Sequence, residues 1–218
     1  MPGKKNLAPQ QSRSRESLQR LLKAATEILQ EKGLEGATIP RIAARAGLSP
    51  GAVYRRFPDK DALMRKVVIA TLQSSDRGTA ALLTSELAKE CTLPAFVEKV
   101  VRTNLGSYRK YTRLLSSITQ FFRTHPSRAF RRKVDEIETR TFRRLVEFLM
   151  NYREQIHHPD PESAIALSLL VMGFAIREIV LMEIITDVWK PLLPKTDEQM
   201  VRELTQMILS YLGCESLR

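Results

Sequence analysis

Residues 38–63 read TIPRIAARAGLSPGAVYRRFPDKDAL, and the order of residue types in this stretch decides the fold. Thr38 stands in a helix N-cap position, ahead of a short segment whose Ile42, Ala43 and Ala46 share one face. Gly47 follows where the chain must turn through a left-handed conformation, which is cheap only without a Cβ. Ser49 then caps a second short helix with Pro50 at its first position, where the missing N–H costs nothing. Val53 and Phe57 point inward, leaving Tyr54, Arg55 and Arg56 to face outward. Two short helices with small residues at their crossing and a glycine turn between them predict a helix-turn-helix, the hairpin whose second helix lies in the major groove of DNA.

The flanking sequence supports that hairpin. From about Arg15 to Lys32, Leu18, Leu21, Leu22, Ala25, Ile28 and Leu29 form one apolar stripe, and Gly33 ends the helix. This stripe covers the two short helices and so sets the angle at which they are presented. After Pro58, Asp59 is placed to cap a fourth helix whose Leu63, Val67 and Ala70 face inward. Residues 1–14 read as a flexible basic arm, with Lys4, Lys5 and Arg13 leading to Arg15; such arms reach into an adjacent minor groove or remain disordered.

The order cap, small residue, Gly turn, Ser-Pro cap, Tyr and then Phe-Pro-Asp-Lys resembles the tetracycline-repressor (TetR) family of bacterial regulators over residues 16 to about 66. The resemblance covers about a quarter of the chain. It implies phosphate contacts from Tyr54 and from Lys60 in the first turn of the fourth helix. Thr38 and the backbone at Ser49 are further candidates for positioning the protein on phosphates. Base reading is expected from Arg41, Pro50, Gly51, Ala52 and Arg55. The three small residues can read only thymine methyls, and Arg55 suits a bidentate guanine contact. Arg56 serves either a phosphate or the packing of its own helix. Family members often carry a polar residue where Pro40 stands, a departure that removes one base contact.

The charge distribution agrees. The net charge is +11; residues 1–66 hold 14 Lys/Arg against 6 Asp/Glu, or +8, and residues 67–218 hold 21 against 18, or +3. The excess sits with the hairpin, where phosphates must be neutralised. Hydrophobic residues make up 43% of the 218, too many for a disordered chain. Cys91 and Cys214 lie far apart and suit plain thiols in a reducing cytoplasm. The polar N-terminus does not read as a signal peptide, and the apolar run Ala164 to Ile176 is too short to span a bilayer, so it is expected to be a buried helix with no membrane partner.

Beyond residue 75 every periodic segment is helical. Phe96 and Val100 to Tyr108 form one helix, and Leu114 to Phe122 another. Phe130, Val134, Ile137, Thr141, Leu145, Phe148 and Tyr152 repeat at steps of three and four through a long one. Residues 163–186 are apolar on all sides, and Met200, Val201, Leu204, Met207, Ile208 and Tyr211 line a last helix. The fold class is therefore all-α: a three-helix DNA-binding domain at 15–66, continuing into helix four, and a larger helical domain at 67–218. An all-round apolar helix needs partners on several sides, so residues 163–186 and 197–212 are expected to build a homodimer, the arrangement the resemblance implies, matched to a palindromic operator.

The resemblance also implies a pocket for an unknown small-molecule effector in the C-terminal helices. Tyr108, Phe121, Phe122 and Tyr152 are candidate lining residues, although aromatics at helical spacing also serve as core. Arg177 interrupts an apolar run and either meets an acidic ligand group or pairs with Glu178, Glu183 or a second subunit. The arginine-rich stretches 128–133 and 140–144 read as a solvated helix face. No metal is expected, since adjacent His157 and His158 diverge by about 100° on a helix, and no cofactor motif or nucleophile motif is present. The functions left are a ligand-responsive repressor or, as the alternative, a sequence-tolerant architectural DNA-binding protein without an effector; an enzyme is not expected.

Overall fold

A computed structural model describes residues 7–125, 127–181 and 190–214. They form ten α-helices with no strand among them: α1 (Leu7–Gly36), α2 (Ile39–Ala46), α3 (Pro50–Tyr54), α4 (Lys60–Leu82), α5 (Ser85–Glu90), α6 (Leu93–Lys110), α7 (Thr112–Thr124), α8 (Arg128–Leu149), α9 (Pro161–Leu181) and α10 (Asp197–Tyr211). The protein is all-α. The expected arm is helical from Leu7 onward, while Lys4 and Lys5 lie outside the described residues. Gly33 breaks α1 with φ 72°, where the sequence places its end. The long C-terminal helix stops at Leu149, three residues before the last member of its apolar series, because the chain tightens into a 3₁₀ turn in which Tyr152 is no longer helical (φ −100°, ψ 17°). Helix α5 has no counterpart in the sequence reading; Thr84 caps it by accepting from Leu87 N at 3.2 Å.

Two compact units emerge, and they do not divide the chain at a single point: the first takes residues up to 73 together with 113–134, the second 74–112 and 135–218. The segment 113–134, expected with the C-terminal helices, groups with the N-terminal ones. In the first unit Leu21, Ile28, Ile42, Val53, Leu63 and Phe121 close one apolar core. Gln30 and Glu31 of α1 tie α7 in place, through Leu114 N to Gln30 Oε1 (3.0 Å) and Arg113 Nη1 to the Glu31 carbonyl (2.5 Å). In the second unit α6 packs on α9 and α10 around Leu105, Ile165, Ile176 and Leu209. Thr196 and Gln199 start α10 with a reciprocal capping box.

The second unit also holds an ion cluster that the sequence does not announce. Asp76 of α4 is 5% exposed. Its Oδ2 accepts from Arg140 Nε (3.0 Å) and Nη2 (2.7 Å), and its Oδ1 from Thr141 Oγ1 (2.9 Å) and Arg144 Nη1 (2.5 Å). Arg140 and Arg144 are therefore not a merely solvated face: their guanidinium heads supply the counter-charge that a buried carboxylate requires. The Arg140 hydrogen bonds, then that of Thr141 and the charges of both arginines, hold the Asp76 carboxyl below its ordinary range against the opposing effect of burial. Because the folded value lies below the unfolded one, the stabilisation is complete above about pH 4 and is lost as the pH falls through the folded value. Melting temperatures of wild type and Asp76→Asn should differ fully above about pH 4 and converge as the pH falls through the lowered folded value. A constant difference across that range would show that the ionised carboxylate adds nothing.

Candidate nucleic-acid interface

Local geometry builds the hairpin as its residue types dictate. Gly47 adopts φ 67°, ψ 38°, and its N–H closes α2 on the carbonyls of Ala43 and Ala44. Ser49 Oγ accepts from Ala52 N at 3.2 Å, with Pro50 in the first turn of α3. Asp59 Oδ1 accepts from Ala62 N at 2.6 Å at the start of α4. Val53 and Phe57 are buried, and Pro50, Gly51, Tyr54 and Arg55 are exposed. A Cβ built on Gly51 would meet nothing within 4 Å, so the outer face of α3 is open to close approach. Thr38 occupies the N-cap of α2, but its hydroxyl makes no capping hydrogen bond there. At the start of α3 the backbone offers less than expected to a phosphate: Pro50 has no N–H, and that of Ala52 is already turned to Ser49.

The cations divide by what they already hold. Arg45 is clamped to Glu31 by two hydrogen bonds of 2.7 and 2.8 Å, with Glu27 at 3.6 Å, which fastens α2 to α1; the Arg45 hydrogen bond holds the Glu31 carboxyl below its ordinary range. Arg41 Nη1 bends back to the Gly36 carbonyl at 2.5 Å. Arg56 donates to the Ser14 carbonyl (3.0 Å) and hydroxyl (2.8 Å), so it joins the hairpin to the start of α1. Lys60 Nζ donates to the Leu34 carbonyl, 2.7 Å away, just past the Gly33 break. Arg55 alone of these five has no hydrogen bond or ion pair among the described residues, and it borders a cleft of about 370 Å³ with Ser17, Leu48 and Ala52. The Arg45 clamp and the Ser14–Arg56 tie escaped the sequence reading, since nothing in the local pattern pairs residues 14 and 42 positions apart.

The candidate effector residues do not share one place. Phe121 is buried in the first core, stacked on His125 with ring centroids 4.1 Å apart, and Phe122 lies under the Arg131 guanidinium at 4.9 Å. Tyr152 belongs to the second core, where its hydroxyl donates to the Cys91 carbonyl at 2.8 Å and its ring lies near Phe96 and Phe148. Within this chain Arg177 donates to Glu178 Oε1 (3.0 Å) and lies 4.6 Å from the Phe174 ring centre. Glu183 and the rest of 182–186 lie outside the described residues. Burial raises the Tyr108 hydroxyl and the Glu138 carboxyl above their ordinary values, and the charge of Arg177 opposes both shifts.

The same unit carries an uncovered apolar face. Helix α9 turns Ile165, Leu169, Met172 and Ile176 into its core and leaves Leu167, Leu170, Val171 and Phe174 about half exposed. Beside them Met207 and Tyr211 of α10 border a groove of about 300 Å³. At 21 residues, with mean hydropathy 2.1, α9 is longer than the run read from sequence and is long and apolar enough to cross a membrane.

Residues 21–67 match the family described as bacterial regulatory proteins, tetR family. No curated protein matches the chain. Among solved structures, the chain is similar to a tetR-family transcriptional regulator of Mesorhizobium loti at 20% identity and a TM-score of 0.71, covering 92% of this chain and 97% of that one. It is also similar to the fatty acid degradation regulator FadR of Bacillus halodurans (18%, TM-score 0.61, 92% and 99%) and to FadR of Bacillus subtilis in complex with stearoyl-CoA (19%, TM-score 0.56, 89% and 95%). At these identities the likeness is one of fold.

Proposed function

We propose that this chain, which belongs to the tetR family of bacterial regulatory proteins through its residues 21–67, is a homodimeric, sequence-specific repressor released from a palindromic operator by a small molecule. The observation that carries this reading is the exposed outer face of α3, on which Arg55 has no partner among the described residues while Arg41, Arg56 and Lys60 are held by the protein. A guanidinium free to reach a base edge is suited to sequence reading. Thr38, Ser49, Tyr54 and Lys60 position the backbone, and Pro50, Gly51 and Ala52 admit close approach. Arg56 orients the hairpin and has its hydrogen bonds to Ser14 to give up before it meets a phosphate.

Dimerisation covers the apolar face of α9 and α10. The spacing of Leu167, Leu170, Val171 and Phe174 forms one helical stripe continuous with the groove at Met207 and Tyr211, the pattern of a two-fold bundle seam. Helix α9 buries Ile165, Leu169, Met172 and Ile176 in the core shared with α6 and α10, and its open face is the proposed dimer seam, so we propose a cytoplasmic protein. The effector acts in the second unit by binding one arrangement of the dimer more tightly than the other. Tyr108 and Arg177 are the candidate ligand contacts that remain once Phe121, Phe122 and Tyr152 are assigned to packing. Stearoyl-CoA, held by the Bacillus subtilis FadR structure, is a reasonable first ligand to test. No catalytic step is proposed.

Selection of bound duplexes from a random pool at near-physiological salt tests the reading, and an inverted repeat is expected. Tight low-salt binding with no enriched sequence would favour the architectural alternative. On the selected duplex, Arg55→Ala should lower discrimination at particular base pairs by about 1–3 kcal/mol, whereas Lys60→Ala should weaken all sequences about equally. Competition binding with single-base operator variants checks this, and the opposite pattern would mean that the two roles are interchanged.

A further inference from the structure

The corner between α7 and α8 belongs to the first unit, yet nothing in the hairpin accounts for its charge. From Arg123 to Lys133 the sequence carries five Lys/Arg and no Asp or Glu. Phe130 and Val134 bury one face of α8 in the core. Arg128 and Arg132, four residues apart on the opposite face, are exposed, as is Arg123 at the end of α7. Arg131 is committed to the corner itself, lying against the Phe122 ring and donating to the carbonyls of Phe122 and His125 at 3.3 Å. Arg123, Arg128 and Arg132 make no ion pair among the described residues. Arg128 and Arg132 stand one turn apart on that face, and like charges so placed repel one another and favour an outside anion.

The corner lies against the start of α4. His125 Nε2 is 3.1 Å from Arg65 Nη1 and 3.5 Å from Asp61 Oδ2. Asp61 follows Lys60, the residue proposed to hold an operator phosphate, and Arg65 is about 7.5 Å further along the helix. We infer that Arg123, Arg128 and Arg132 form a second phosphate-contacting surface, which grips the duplex backbone flanking the half-site, outside the base pairs met by α3. The inference rests on the DNA-binding reading above. Solvated arginines on an outer helix face have no fixed geometry for base edges, so their contribution is sequence-independent and acts through counterion release.

Salt dependence separates this surface from the hairpin. The full-length protein and Arg123→Ala/Arg128→Ala/Arg132→Ala are titrated across a salt series against two duplexes: the selected inverted repeat alone, and the same repeat extended by about one helical turn on each side. Each phosphate contact adds about 0.9 to the slope of log K against log salt. The wild type should be steeper on the extended duplex, and the triple variant should lose about 1–3 of slope per protomer there while matching the wild type on the trimmed one. A triple lysine variant should keep the steeper slope. Equal slopes on the extended duplex, or the same loss on both duplexes, would overturn the inference. A wild type that selects no inverted repeat is a separate outcome, which removes the underlying reading as well.

Discussion

Met207→Glu is expected to give a folded monomer that has lost operator binding. Met207 is 61% exposed and borders the groove between α9 and α10, so its replacement leaves each chain's own core intact, and exposed substitutions usually change stability by about 0.5 kcal/mol or less. The proposed homodimer would change the environment of that residue. In a two-fold seam made from Leu167, Val171 and Tyr211 the new carboxylate loses its water, and symmetry brings in a second copy. An uncompensated buried charge costs about 3–5 kcal/mol, or about 100- to 4,000-fold in the dimer constant. Operator affinity should fall with it, since one α3 makes too small a contact to hold a site alone. Sedimentation at micromolar concentration, with helicity measured in parallel, checks both halves. A Met207→Glu chain that remains a dimer of undiminished strength would place the seam elsewhere.

Ile42→Ala should act in the first unit. Ile42 is fully buried in the first core with Leu21, Ile28 and Val53, on a helix of only eight residues. Removing its outer carbons costs about 2–5 kcal/mol through lost burial and the cavity left behind, a large share of the 5–15 kcal/mol typical of a whole domain. Because α2 packs mainly against α1 and α3, the loss should fall on the hairpin. Amide hydrogen exchange is expected to speed up across residues 21–67 while α9 and α10 keep their protection, and DNA affinity should drop without dissociation of the dimer. Protection lost equally in both units would show that they unfold as one cooperative body.

The contrast between these two variants follows from how the chain encodes its parts. Caps and turns are exchanges between residues three or four apart, so they are visible in the sequence. Ser49 with Ala52, Asp59 with Ala62, the left-handed Gly47 and the break at Gly33 all stand where the residue types place them. The inward stripes of α1 and α4 are legible for the same reason: periodicity states which face is apolar. Thr38 shows the limit even of local signals, because a residue suited to capping occupies the cap without making the bond.

Partners distant in sequence leave no such trace. That Asp76 meets Arg140 and Arg144, that Arg45 closes on Glu31, and that α7 joins the N-terminal core depend on how helices of known face are brought together. A helix face says that something must cover it, never what. The sequence by itself determined an all-α chain with a basic helix-turn-helix near its start, since those features rest on short-range sterics, hydrogen bonding and periodicity. Only the tertiary structure decided which arginines are held by carboxylates and carbonyls and which stay open to an outside anion, because that choice belongs to side chains that meet across the fold.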